Sequence, residues 1–539
     1  MSGRVRFLLA GLCGLVIVLQ ALGNIFLPPV LPHRIAAALR DLATAALLAL
    51  VTTSGRFQRY VPEATPESLA AIRILTCAVV LGSVLWEDLA STALIPADVG
   101  SLTGAMWVFA ALPAGFQSFA QNAAVLQLFK WVTAALLFLG VLGWGTRMVL
   151  PLAAVCALIF GGMLRHYSYF WHQGIVPLYL LMVLSWTPCG DGWSLDRVFR
   201  SAVARPVPAA GRGTPIYGWS QYACWVVIAL PYVESGLSKL RYAGWFWWDP
   251  VSIRAFSYRD TLRVQGAAGS FLPGFSLHLA HVPDVVFALL GICALLIELL
   301  YGLILFSRTA RRILPAAAFL MHIGIFVLQK LFFYDLLLVQ LVFLDVTTVG
   351  NAATQICRRV ANRLDFARRG RERKSVHAGH PVAIHETVRF RLAWPLAVSG
   401  IMAVLLISWA HGVESYPLTT WKMYAKHASH AEYTHVYAHY ESGAVSRAYF
   451  ADAIGALTGS RARTYSQMCF DPAHRPRCET FLGAVAAAYN RQTRSAGRVT
   501  QFEVKSWSWD FRAYPLEPGR AALTDLFRFD VPRSAAAHR

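Results

Sequence analysis

Charge is scarce in this chain of 539 residues: Asp, Glu, Lys and Arg together make up 14% of it, and acids are the rarer sign, 29 against 49 bases. A soluble globular domain carries about 25% charged residues, so that class is excluded. Closely spaced cysteine motifs are also missing. The nine cysteines include no Cys-x-x-Cys pair and no metal-ligand spacing, which gives no support to a zinc ribbon or a thioredoxin-type redox motif. Cys77, Cys156, Cys224 and Cys293 lie inside apolar segments and read as small buried hydrophobes. There is no P-loop, no G-x-S-x-G elbow and no dinucleotide fingerprint.

Apolar residues are what the chain has instead. It is 56% hydrophobic with a mean hydropathy of +0.47, the composition of a polytopic membrane protein. Apolar runs of membrane-crossing length predict about eleven spans, at 6 to 27, 35 to 53, 69 to 88, 122 to 143, 146 to 164, 173 to 187, 217 to 238, 284 to 306, 311 to 329, 331 to 348 and 392 to 411. The second contains Arg40 and Asp41 and reads either as a span or as an interfacial amphipathic helix. The first has Arg4 and Arg6 before its apolar core and small residues at Ala21-Leu22-Gly23, as a secretory signal does. Its apolar run is long for a signal core, which favours an uncleaved span.

Net charge of +20 is distributed in short stretches between apolar segments. That pattern fits topology determinants and contacts with anionic membrane lipid, not a nucleic-acid partner. Segment 349 to 391 carries ten Lys or Arg against three acids, so it is expected in the cytoplasm. Counting back from it puts Arg308, Arg311 and Arg312, then Arg197, Arg200, Arg205 and Arg212, then Arg56 and Arg59 on the same side. The segment 89 to 121 has no Lys or Arg and falls outside. The expected organisation is N-terminal membrane segments over 1 to 68, a membrane domain over 69 to 348, a basic linker over 349 to 391, a last transmembrane helix over 392 to 411, and a small extracytoplasmic α+β domain over 412 to 539. The fold class is thus an all-α polytopic membrane bundle, of about ten to eleven spans, with that domain attached.

In the outer domain, Tyr433 to Tyr440 and Ala444 to Phe450 flank Glu441-Ser442-Gly443 and read as a β-hairpin. Glu479 to Arg491 reads as a helix and Val499 to Phe511 as a further strand. Cys469 and Cys478 are the only cysteines there, and an extracytoplasmic setting permits a disulfide between them.

Several polar residues sit where a membrane protein rarely places them. Lys239 ends the apolar stretch PYVESGLSKL and is followed by Trp245, Trp247 and Trp248. It is either a lysine snorkelling to the interface or a base in a water-poor aromatic pocket, where a neutral amine serves in proton transfer. His172 opens the 173 to 187 segment within YFWHQG, at the same membrane face, and His322 lies in the 311 to 329 span. Both read as structural hydrogen-bonding groups or as site residues. Glu234 and Glu298 are further intramembrane acids; Glu234 is about 140° around a helix from Lys239, so the two do not share a face. Arg241, Arg254, Arg259 and Arg263 crowd the loop beyond Lys239, either as solvated charge or as a cationic wall for an anionic substrate. His427, His430, His435 and His439 lack the carboxylate or Cys partners of a zinc site, and no metal is expected.

Over 69 to 348 the segments SGLSKL with its Trp-rich sequel, YFWHQG, TPCGDGWSLD and the stretch from His322 resemble the vitamin K-dependent gamma-carboxylases and their bacterial relatives, the horizontally transferred transmembrane (HTTM) proteins. The resemblance implies a multi-pass protein of the bacterial inner membrane with a quinol-dependent, carboxylase- or epoxidase-like activity on an exported protein. It implies Lys239 as the base that deprotonates reduced vitamin K or menaquinol, with His172 and His322 as partners. It also implies Trp171, Trp245 and Trp248 as the aromatic walls of the quinol site. Two departures stand out: Ser238 occupies the first position of the carboxylases' lysine pair, and the outer domain is much shorter than theirs. The competing class is non-enzymatic, a membrane maturation factor for exported proteins or a lipid or quinone carrier.

Overall fold

Thr65 and Pro66 open the first long apolar helix. The Thr65 side chain accepts a hydrogen bond from the Ser68 amide, and Pro66 takes the first turn, where a missing N–H costs little. Asn122 caps the next in the same manner, accepting from the amides of Ala124 and Val125, and that helix stops at Gly143, whose φ of 68° suits a residue without a Cβ. The computed structural model describes residues 33–96, 122–166, 172–202, 213–264, 282–329, 331–344, 388–428, 430–492, 497–510 and 522–532, together with 99, 113, 115, 119 and 513. The expected first span, most of the basic linker and Trp171 lie outside the described residues.

The main membrane-domain helices are α1 His33–Thr52, α2 Pro66–Trp86, α3 Ala123–Leu142, α4 Thr146–His166, α5 Ile175–Leu184, α6 Pro215–Ala243, α7 Pro250–Val264, α8 Asp284–Leu300, α9 Ala310–Gln329, α10 Tyr334–Val339 and α11 Val388–His411. Among the described residues, six stretches are long and apolar enough to cross a bilayer: Pro66–Leu94, Ala123–Leu142, Thr146–Arg165, Asp284–Leu305, Ala310–Gln329 and Leu392–His411. The chain is therefore a multi-pass, membrane-protein-like helical bundle.

The remaining apolar segments behave differently from the six. The expected span at 173 to 187 contains α5, only 10 residues long, or about 15 Å against a hydrocarbon core of about 30 Å. Nearly all of α5 is buried in protein, so its apolar run serves the core instead of the lipid. The stretch Tyr334–Phe343, within the expected span at 331 to 348, is likewise short. Helix α6 has the length to cross, 29 residues, but Glu234, Lys239 and its many Tyr, Ser and Gly residues lower its hydropathy. It is buried along most of its length, from Tyr217 to Lys239. Helices α5, α8 and α11 pack around it.

The bundle sorts its connections to two ends. At one end the Asp196 carboxylate accepts from the amides of Gly145 and Thr146, and the buried Arg73 donates to the carbonyls of Cys189 and Trp193. At the other end Trp409 and Ser238 meet, and Asp41 contacts His411 at 2.7 Å, which places the charged pair of α1 beside the end of α11.

Beyond α11 comes a four-stranded antiparallel sheet in the order β2-β1-β3-β4, formed by β1 His430–Tyr440, β2 Val445–Arg447, β3 Val499–Asp510 and β4 Ala522–Asp530. The β1–β2 hairpin turns at Glu441-Ser442-Gly443, with Gly443 at φ 79°. Helices α12 Gly459–Met468 and α13 Arg475–Asn490 cover the sheet. Phe481, Leu482 and Val485 join Val436, Phe502 and Val504 in a core separate from that of the bundle. Cys469 and Cys478 are joined in a disulfide with a Cα–Cα distance of 5.1 Å. The hairpin, the helix near 479 and the strand from 499 all form; β4 was not anticipated, because its half-exposed alternation is weak.

The sheet domain is fastened to the end of the bundle that carries Ser238. Arg461 pairs with Glu87, the Ala456 amide donates to Ser91 Oγ at 2.7 Å, and Arg477 donates to the Val99 carbonyl at 2.9 Å.

Candidate functional site

Tyr232, Ser235 and Lys239 are spaced three and four residues apart on α6, which puts them on one helical face. Glu298 comes from α8, and close approach of the two helices is permitted by Gly236, where an added Cβ would meet Leu299 side-chain and backbone atoms at 2.9 to 3.1 Å. Lys239 Nζ lies 2.7 Å from Glu298 Oε2 and donates to Oε1 at 2.8 Å. It also donates to Ser235 Oγ at 2.9 Å, while Ser235 Oγ donates to Glu298 Oε1 at 3.2 Å. Nζ sits 5.0 Å from the centroid of the Trp247 ring. Lys239 is 4% exposed and Glu298 8%. The lysine is therefore not snorkelling: its ammonium is turned into protein, where a carboxylate, a hydroxyl and an aromatic face replace water.

A cavity of about 50 Å³ opens at this pair. Its walls include Tyr232, Lys239, Glu298, His322, Trp421 and Tyr424, with Met321 and Met423 among the apolar lining. Lys239 and His322 thus share a cavity. His322 Nε2 is 2.8 Å from the Tyr232 hydroxyl. That hydroxyl accepts from Gln340 Nε2 at 2.9 Å, and Gln340 Oε1 accepts from Tyr301. Tyr232 stacks on Tyr301 with ring centroids 4.2 Å apart.

The roof of the cavity comes from the strap over 412–428 that leaves α11 and carries Trp421, Met423 and Tyr424. Ser238 Oγ donates to the Thr420 carbonyl at 2.7 Å and accepts from Trp409 Nε1 at 2.9 Å. Trp247 Nε1 donates to the Tyr424 carbonyl. Trp421 and Tyr424 have φ of 52° and 54°, a left-handed conformation that bulky residues adopt at a cost of about 1–2 kcal/mol each. Both residues line the cavity. Glu414 anchors the strap by accepting from the Thr419 hydroxyl at 3.0 Å and the Thr420 amide at 3.2 Å.

His172 stands one ring away. Its imidazole is tilted against Trp421 with centroids 5.3 Å apart, and Nε2 is 4.0 Å from Glu414 Oε2. Burial, with Arg165 nearby, pushes this imidazole down to about 3, so it is neutral near pH 7. His172 therefore faces the strap instead of the Lys239 cavity. Of the tryptophans expected as walls, Trp245 is 78% exposed and Trp248 packs on Phe246 and over Gly291. The ring at Lys239 is Trp247.

Other signals resolve into separate roles. Glu234 is fully buried, has no hydrogen-bond partner among the described residues, and is not part of the cavity wall. The TPCGDGWSLD segment ties the opposite end of the bundle: Asp191 accepts from Tyr217 and pairs with Arg200 at 2.7 Å, and Asp196 holds the start of α4. Arg254 pairs with Asp284 at 2.6 Å, and Arg241 lies over the Trp409 ring, so neither stands as free wall charge. His427 contacts Ser252, His430 contacts Ser508, His435 stacks on Trp507 and His439 approaches Glu503. The histidines are dispersed over different partners.

Neither Glu298 as the partner of Lys239 nor the strap over the cavity is evident from the order of residues alone. The spacing of Tyr232, Ser235 and Lys239 was a usable signal for the face; nothing in the order of residues gives the rotation of α8 against it. No family model matches the chain, and no curated protein or solved structure is significantly similar to it.

Proposed function

We propose that this membrane protein is an acid–base enzyme of the gamma-carboxylase-like kind, in which the Lys239–Glu298 pair takes the proton of a quinol-class hydroxyl. The observation that carries this reading is the buried ion pair on the wall of an otherwise apolar cavity, 2.7 Å from nitrogen to oxygen. A carboxylate and an ammonium in contact form a unit able to accept one proton: Glu298 takes it from the substrate O–H, and the Lys239 ammonium remains to hold the oxygen anion left behind. Proton transfer within the pair gives the equivalent neutral-amine route. Carboxylation belongs to the resemblance, whereas the geometry bears on this first deprotonation.

Reduced vitamin K or menaquinol supplies the class of substrate. The groups fit its oxygen end, since the cavity offers an acid–base pair, a histidine and aromatic and methionine walls. A cavity of about 50 Å³ is too small for the ring, so entry of a ring requires the strap with Trp421 and Tyr424 to move. We place the cavity towards the outer face of a bacterial inner membrane, with the sheet domain outside the cytoplasm, on the alternation of basic loops. There a lipid-borne quinol and an exported protein have common access. The ion pair between the buried Arg461 and Glu87 that fastens the sheet domain to the bundle favours a second role for that domain, presenting an exported partner to the membrane.

Consumption of reduced quinone by the purified protein in detergent tests the reading. Wild type should turn over, while Lys239→Arg and Glu298→Gln should each lose about 10²-fold or more. Undiminished turnover in both variants would refute the proposal.

A further inference from the structure

The direction of each hydrogen bond around His322 follows from counting donors. Gln340 Nε2 uses its two N–H groups on the Leu336 carbonyl and the Tyr232 oxygen, both at 2.9 Å. The Leu336 carbonyl can only accept, which fixes the Gln340 N–H end towards it and leaves Oε1 to accept from Tyr301. The Tyr232 oxygen thus already accepts one bond, and among the described residues its own proton has one further hydrogen-bonding partner, His322 Nε2 at 2.8 Å. An Nε2–H would point at that oxygen and leave the tyrosine proton without an acceptor among the described residues. His322 Nε2 is therefore the acceptor, and the proton of the neutral ring is on Nδ1. Yet Nδ1 is buried and has no hydrogen-bond partner among the described residues. Buried N–H groups are almost always paired, and this ring lines the Lys239 cavity.

We infer that the Gln340–Tyr232 pair locks His322 as its Nδ1–H tautomer, so that the ring is a hydrogen-bond donor to an acceptor oxygen entering the cavity. Gln340 and Tyr232 are positioning residues, acting only through the imidazole. This deepens the reading of the same cavity by stating what an occupant must carry beside the ion pair: an oxygen able to accept. The assignment extends through Tyr301, whose stacking on Tyr232 and bond to Gln340 hold the chain of donors in one sense. It also gives the polar cluster drawn from α6, α9 and the segments that follow α8 and α10 a common purpose, since each contributes one member.

Nitrogen-15 NMR of the full-length, histidine-labelled protein in detergent micelles tests this directly, with the His322 signals assigned by their loss in His322→Gln. The expected wild-type spectrum shows a one-bond coupled N–H at Nδ1 and an uncoupled, pyridine-type Nε2. Tyr232→Phe, which keeps the stacked ring, and Gln340→Leu should each divide the population between both tautomers. Adding a soluble alkyl-substituted naphthoquinone in excess should shift Nδ1 and leave Nε2 in place. A protonated Nε2 in wild type would overturn the inference, as would an unchanged tautomer in a folded Tyr232→Phe protein or an Nδ1 signal that the quinone leaves unmoved. If both variants fail to fold, the wild-type coupling pattern decides alone. Quinol turnover is a separate readout, so a correct tautomer in a protein that consumes no quinol would leave this inference standing and remove the enzymatic reading.

Discussion

Lys239 on α6 and Glu298 on α8, 59 positions apart, meet at 2.7 Å with both side chains almost fully enclosed. Removing either partner strands the other charge in protein. Lys239→Met and Glu298→Leu should each destabilise the folded bundle by about 3–5 kcal/mol, whereas the double variant should recover much of that loss, because two apolar side chains replace a pair whose desolvation offsets its attraction. Thermal unfolding in a fixed detergent checks the cycle. Additive losses would show that the two charges do not depend on each other.

The distance between the pair rests on a glycine. A Cβ at position 236 would come within 2.9 Å of Leu299 Cδ2 and 3.1 Å of its backbone nitrogen, next to Glu298. Gly236→Val should therefore push α8 from α6, cost about 1–3 kcal/mol, and weaken the coupling between Lys239 and Glu298 in a double-mutant cycle. An unchanged coupling energy in the Gly236→Val background would contradict this role.

The sheet domain carries its own pH dependence. His435 stacks on Trp507 with planes 6° apart, and burial, with Arg447 nearby, pushes its imidazole down to about 4 from the ordinary value of 6.5. Its folded value is the lower one, so the unfolded state binds the extra proton between those limits. Stability from the neutral ring is complete above pH 6.5 and is lost progressively as pH falls towards 4. Half-exposure of the ring reduces the size of the effect without altering its sign. Denaturant unfolding followed by tryptophan fluorescence at pH 7 and pH 5 should show a midpoint drop that is smaller in His435→Gln. An equal drop in that variant would assign the effect to another group.

What the sequence made legible, and what it hid, divides along physical lines. Long apolar runs and turn residues act locally, so the bundle, the β1–β2 hairpin and the Cys469–Cys478 bridge were all readable. Hydropathy does not distinguish lipid from protein interior, which is why α5 resembles a span although its 10 residues are enclosed by neighbours. Lys239 and His322 could be singled out as polar groups in apolar helices, but Glu298 as the partner depends on helix rotation. Trp247, and not its neighbours Trp245 and Trp248, faces Lys239 because α6 ends at Gly244, φ 75°, and the chain turns there. The strap was invisible for a similar reason: Trp421 and Tyr424 sit in backbone conformations that no local preference of theirs would select.

The central claim is that Glu298, beside Lys239, takes a proton from a quinol hydroxyl. The most direct measurement is an anaerobic optical titration of the purified protein with a lipid-soluble naphthohydroquinone, at a pH where the free quinol stays protonated. The account predicts a red-shifted anion band saturating near one equivalent per chain in wild type, absent from Glu298→Gln and Lys239→Met. No anion band in folded wild-type protein, or an equal band in both variants, would contradict it.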